Sequence, residues 1–184
     1  MMDDTDKKIL QLLQKNGRMP LSKIGEKIGM SHVAVRKRMK KLQKELLQIN
    51  PTLNFEKLNY RLTLISIETK NDKVREELIE TFQNCPRTIL LLKTTGEYNL
   101  LAIMLAENQN VQESEAGKCA IRTHPGIRKS EVNTGEAPIK PKNTQYTPPL
   151  TNKKTAPCGE NCNQCQRYTE EKCLGCPATK YYRK

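Results

Sequence analysis

Residues 21–45 read LSKIGEKIGMSHVAVRKRMKKLQKE, and this stretch constrains the fold more than any other. Leu21, Ile24 and Ile28 recur at helical spacing, so they share one face. Pro20 stands just ahead, where its fixed φ and missing N–H suit a helix start. Gly29 follows and can take the left-handed conformation that ends a helix. Met30 tucks under the turn, and Ser31 is a good N-cap for a second helix. That helix carries Ala34, Val35, Met39 and Leu42 as its inner stripe, with His32, Val33, Arg36, Lys37 and Lys40 on the other side. Two short helices, a Gly turn and a basic second helix make the pattern of a helix-turn-helix. Such a unit turns the early residues of its second helix toward the major-groove floor of double-stranded DNA. His32, Val33, Arg36 and Lys37 are therefore candidates for base edges. Arg38, Lys40, Lys41 and Lys44 are placed for phosphates, which fix register but carry no sequence information. A basic amphipathic helix by itself is usually a solvated face; the Gly turn, the Ser cap and the concentration of charge set this one apart.

The charge is unevenly spread along the 184 residues. Residues 1–50 hold 12 Lys/Arg against 5 Asp/Glu, residues 51–135 hold 11 against 11, and residues 136–184 hold 9 against 4. A basic head and a neutral middle imply one domain for nucleic acid and another for a different task. The absence of tryptophan argues against a stacking platform for single strands. No apolar run approaches the ~20 residues that span a bilayer, and the start MMDDTD lacks a signal peptide's basic and apolar regions. A cytoplasmic protein without a membrane partner is expected, in which cysteines serve as thiols or metal ligands.

Ahead of the pair, residues 4–16 form a predicted helix capped by Asp4 or Thr5, with Ile9, Leu12 and Leu13 inside and Asn16-Gly17 ending it. After it, residues 46–50 and 52–55 read as a short β-wing interrupted by Pro51, which confines any strand there to an edge. From Tyr60 the period shifts to near two: Leu62, Leu64, Ser66 and Glu68 alternate with Thr63, Ile65 and Ile67. A helix over 73–84, strands over 88–93 and 98–105, a weaker helix over 111–123 and a strand over 127–133 follow. The order β-α-β-β-α-β predicts a ferredoxin-like domain of four antiparallel strands with two helices on one face. The fold class is thus α+β: a winged helix-turn-helix over 1–50 and a ferredoxin-like domain over 51–135.

Four segments now stand in a fixed order: DDTDKKILQLLQKNGR, the helix pair itself, TGEYNLL and HPGIRKSEV. Together they resemble the Lrp/AsnC family, the feast/famine regulatory proteins, over residues 1–135. The resemblance implies a transcription regulator, not an enzyme. It also implies a homodimer or higher oligomer joined through the α/β domain, and an amino acid or another small effector. It places that effector at the turn of Gly96, Glu97, Tyr98 and Asn99. Two positions depart from the family: Asn99 stands where an Asp is usual, and Leu46 where a Gly follows the recognition helix. Read for itself, the turn is a β-turn running into its strand.

Residues 136–157 hold five prolines among Lys, Thr and Asn, which predicts an extended polar linker. The last segment, 158–184, carries Cys158, Cys162, Cys165, Cys173 and Cys176 as C-x3-C-x2-C-x7-C-x2-C. Two C-x2-C pairs suit a closed tetrahedral zinc site, with Cys162, Cys165, Cys173 and Cys176 as the best four. An iron–sulfur cluster takes the same thiolates, and the C-x3-C-x2-C run and the Cys176-Pro177 pair suit it. A metal would then supply the folding energy of a small tail. Cys85 and Cys119 read as small buried hydrophobes. His32 and His124 have no evident partners for catalysis. The expectation is a sequence-specific DNA-binding regulator with a metal-binding tail. The alternatives are a regulator that senses metal or redox state through an iron–sulfur cluster, and a chromatin-like DNA organiser that depends on charge.

Overall fold

The computed structural model describes residues 2–149 and 152–183 and divides into two compact units, Met1–Pro51 and Thr52–Lys184. No helix among the described residues is long and apolar enough to cross a membrane.

The first unit is helical: α1 (Asp4–Lys15), α2 (Leu21–Ile28) and α3 (His32–Glu45). Ile9 and Leu13 of α1, Ile24 of α2, and Val35, Met39 and Leu42 of α3 form its buried core. The cap of α1 is Asp3, one residue earlier than expected. Its side chain accepts the Asp6 N–H, and the Asp6 carboxylate accepts the Asp3 N–H, so two otherwise orphaned donors are satisfied. Gly29 ends α2 at φ 71°, in the left-handed region. Ser31 caps α3 through the Ala34 N–H at 3.3 Å. The expected wing is absent from this unit. Leu46 and Leu47 both donate to the Leu42 carbonyl, at 2.8 and 2.7 Å, which draws the chain in after α3. Leu46 closes the helix at φ −127°, so no glycine is needed there.

In the second unit a short strand, β1 (Leu53–Asn54), pairs not with residues 46–50 but with β6 (Asn143–Thr144), inside the stretch expected to be a linker. Pro51 offers no N–H to the wing, while Asn143–Thr144 lies antiparallel beside β1. Phe55 is fully buried, with the rings of Tyr60 and Tyr146 edge-on to it.

The main sheet holds β2 (Arg61–Thr69), β3 (Thr88–Lys93), β4 (Leu100–Ala106) and β5 (Ile127–Gly135), all antiparallel, in the order β3-β4-β2-β5. With α4 (Asp72–Phe82) and α5 (Gln109–Gly117) this is the ferredoxin-like order. Residues 111–123 do not form one helix. The chain leaves α5 at Gly117, and a separate turn, α6 (Ala120–Thr123), follows Cys119. One sheet face packs on the helices through Ile65, Ile67, Leu100, Ala102 and Met104, against Leu78, Phe82 and Ile121.

The segment after residue 152 folds back onto this helical side. It contains a 3-10 turn (Cys162–Gln164), a four-residue helix α7 (Gln166–Thr169) and a parallel bridge between Lys153 and Thr179. Cys158 packs against the core cluster, and Arg167 of α7 donates to Ser114 Oγ of α5 at 2.6 Å. The compact unit therefore runs from residue 52 through the cysteine segment, which is not set apart behind a linker.

Candidate nucleic-acid interface and cysteine cavity

On α3 the buried row Val35, Met39 and Leu42 turns one side to the core, and the solvent side holds His32, Val33, Arg36, Lys37, Lys40, Lys41 and Lys44. Val33 is 61% exposed, an apolar side chain held on the polar face at the start of the helix. Such a group suits contact with a thymine methyl. Arg38, expected with the phosphate group, is engaged elsewhere. Its guanidinium donates to Asp3 at 2.6 Å and to Asp6 at 2.8 Å, so it bolts α3 to the cap of α1. The geometry of α3 puts it nearer the core than its neighbours, and two carboxylates meet it there.

Gly25 is the residue that reading the sequence missed. The Met30 N–H donates to the Gly25 carbonyl at 2.9 Å, and a Cβ on Gly25 would stand 2.3 Å from the Met30 carbonyl oxygen. The turn between α2 and α3 closes only because that Cβ is missing. A glycine inside a short helix, four residues ahead of Gly29, was the available signal.

The turn at residues 96–99 lies between β3 and β4, with Gly96 at φ 109°. Two of its side chains, Glu97 and Tyr98, meet at Lys129, whose ammonium stands 5.3 Å from the Tyr98 ring centroid. Glu97 pairs with Lys129 of β5, holding that ammonium above the ordinary lysine range. Tyr98 donates to Glu131 at 3.1 Å. Asn99 Oδ1 accepts from the Thr69 N–H at 3.1 Å and the Thr69 hydroxyl at 3.2 Å, which ties the turn to the end of β2.

The five tail cysteines come together, and Cys85 and Cys119 join them. All seven are free and line one cavity of about 110 Å³ between the tail and the helical side of the sheet. Among the described residues no three His, Cys, Asp or Glu side chains meet at a common point as a bound metal requires. The seven cysteines line the space instead. Burial pushes the Cys176 thiol up to about 12 and raises Cys85, Cys119 and Cys158 as well. A polar knot adjoins the cavity. Arg87, 8% exposed, donates from Nε to Glu107 at 3.0 Å and from Nη2 to the Gly175 carbonyl at 2.7 Å. Glu115 accepts from the Thr63 hydroxyl at 2.6 Å; burial pushes it up to about 8, against the pull of Arg87 and Thr63.

A model of the AsnC-type helix-turn-helix domain matches residues 2–43. The regulator LrpA of Pyrococcus horikoshii is 32% identical over 117 residues, covering 59% of this chain and 78% of its own length. The regulator LysM of Saccharolobus solfataricus is 28% identical over 107 residues, covering 58% of this chain and 75% of its own. Among solved structures, a transcriptional regulator from Neisseria meningitidis in complex with L-Met is alike at a TM-score of 0.64. It is 24% identical and covers 81% of this chain and 97% of its own length, a likeness of fold. With the helix-turn-helix, the ferredoxin-like sheet order and these relatives in hand, the chain belongs to the Lrp/AsnC family of DNA-binding transcription regulators.

Proposed function

We propose that this regulator reads a specific double-stranded site by laying the exposed side of α3 in the major groove, as a homodimer joined through its sheet unit. One observation carries the reading: His32, Val33, Arg36 and Lys37 share the solvent side of a helix whose opposite side is locked in the core. Lys40, Lys41 and Lys44 continue that side and take phosphates. Arg36→Ala should cost about 1–3 kcal/mol on the cognate site and flatten preference at one base position. Lys41→Ala should weaken all sequences alike. Binding competitions across a library of single-base site variants measure both, and equal, sequence-independent losses would point to a DNA organiser instead.

The dimer reading is supported by the sheet's second face. Leu62, Leu64, Leu90, Leu92, Leu101 and Ile103 lie together there by strand register, away from the helices. Leu90 and Leu92 are 39% and 43% exposed, so an apolar face of this kind suits a second copy. Two-fold pairing would set two copies of α3 against half-sites about 34–36 Å apart, or a multiple of that.

Small-molecule control belongs, in this reading, at residues 96–99, where Glu97 and Lys129 offer both charges to a zwitterion. The Neisseria relative, solved with L-Met, makes amino acids the first compounds to try. A thermal-shift screen of amino acids, repeated on Glu97→Ala, tests it: a stabilising ligand should lose its effect in the variant.

A further inference from the structure

We propose that the seven cysteines form one composite site for a thiolate-ligated metal centre, zinc or an iron–sulfur cluster, seated between the tail and the sheet unit. Metal then fastens the tail to the regulatory domain instead of only folding the tail.

The cavity gathers every cysteine of the chain from three places: Cys85 between α4 and β3, Cys119 between α5 and α6, and the five of the tail. One of the tail's turns is built for close approach. Gly175, between Cys173 and Cys176, sits at φ 84°, and a Cβ there would lie 2.9 Å from the Tyr181 carbonyl oxygen. Gly159, beside Cys158, has open space around it and is set apart only by its left-handed φ of 86°. Across the two C-x2-C pairs, the Cys176 N–H donates to Cys162 Sγ at 3.1 Å, and the Thr179 hydroxyl stands 4.0 Å from the same sulfur. A thiol is a weak acceptor, whereas a ligating thiolate draws such donors as its outer partners. Arg87, which also holds the Gly175 carbonyl of the tail, lines the same cavity.

The tail also lacks a core of its own. Its buried apolar side chains among the described residues are Ala156, Cys162 and Ala178, all small. That is too little to order so many residues without another source of binding energy. The cysteines line the cavity without meeting at one point, and rotation about χ1 can redirect a thiol with the backbone in place. Each ligating thiol gives its proton to solvent as the metal binds. Zinc takes four thiolates at ~2.3 Å; a cluster brings iron and inorganic sulfide and also takes Cys thiolates.

The test uses the full chain purified without oxygen. Zinc, iron and acid-labile sulfide are counted per chain, and the visible spectrum is recorded. At least one centre per chain is expected. The zinc arm is colourless and stable in air. The cluster arm is brown, carries sulfide with its iron, and bleaches in oxygen. Thiol alkylation of the native protein, mapped by mass spectrometry before and after metal removal, then tests the composite character. Cys85 and Cys119 should become reactive together with the tail cysteines. Cys119→Ala, a substitution small enough to keep the fold, should weaken metal affinity about 10–100-fold in competition with a chelator. Tail cysteines that react while Cys85 and Cys119 stay protected, or unchanged affinity in Cys119→Ala, would overturn the shared site. A protein that takes up neither zinc nor iron with sulfide under reducing conditions would overturn the centre altogether.

Discussion

The guanidinium of Arg87 donates to the carbonyl oxygen of Gly175 at 2.7 Å, joining residues 88 positions apart. Its Nε meets Glu107 at 3.0 Å, and the Tyr182 hydroxyl donates to the same carboxylate at 3.1 Å. Burying a guanidinium is costly unless its donors are matched, and here a carboxylate and a main-chain oxygen match them. Removing it leaves Glu107 buried without its cation. Arg87→Met should cost about 3–5 kcal/mol in urea unfolding of the sheet unit. It should also make residues 152–183 more sensitive to limited proteolysis. Arg87→Lys should fall short of rescue, because an ammonium lacks the planar fork that serves both partners. Full rescue by lysine would mean that charge alone is what matters.

At the other end of the chain, Asp3 and Arg38 set an acid limit. The Asp6 N–H, first, and then the Arg38 guanidinium hold the Asp3 carboxyl below the usual carboxylate range. A group with a lowered folded pKa adds stability above its unfolded pKa and loses it as pH falls through the folded value. The helical unit should therefore lose thermal stability as pH drops below about 4. Asp3→Asn should flatten that decline, which circular dichroism at a series of pH values can follow. Arg38→Gln should lower stability at neutral pH while leaving base preference intact; altered preference would return Arg38 to the DNA-facing group.

Gly25 and Gly29 should respond differently to alanine. A methyl on Gly25 meets a carbonyl oxygen that belongs to the main chain and cannot swing aside. Gly29 has open space around it, but its φ of 71° suits few other residues. Gly29→Ala should cost about 1–2 kcal/mol from conformation alone. Gly25→Ala should cost more, by about 1–3 kcal/mol of overpacking, and should reduce DNA affinity by displacing α3. Denaturant unfolding and a DNA-binding titration separate the two.

If the second face of the sheet pairs copies, a charge placed on it must part them. Leu90→Glu and Leu101→Glu lie on adjacent strands of that face. Either change should shift sedimentation at micromolar concentration toward a monomer with unchanged secondary structure. Affinity for a two-half-site DNA should fall much further than for a single half-site. Dimers that survive both changes would move the interface elsewhere.

The sequence was most legible where local signals agreed. Ser31, Gly29 and the stripe Val35, Met39 and Leu42 are short-range features, and they specify α3 closely. The alternation in β2 likewise set its two faces, since a strand's period of two sorts core from surface. What escaped was long-range. Nothing near Asn143 announces that it will pair with Asn54, and Arg38 looked like its basic neighbours until Asp3 and Asp6 met it. Cys85 and Cys119 read as ordinary buried thiols because their kinship with the tail exists only in three dimensions. The proline-rich composition of residues 136–157 concealed a strand, because two paired residues leave no periodicity to detect.

The pairing of β1 with β6, and the edge-on seating of Tyr146 against Phe55, make the start of the sheet unit and the stretch just past its main sheet halves of a clasp. The first half lies just past Pro51, where the chain leaves the DNA-reading helices. Cut after Gly135, the protein would keep every strand of its main sheet, yet Phe55 would become an open socket and Leu53–Asn54 a strand with no mate. What looks like an addition to a finished regulator is the piece that closes it.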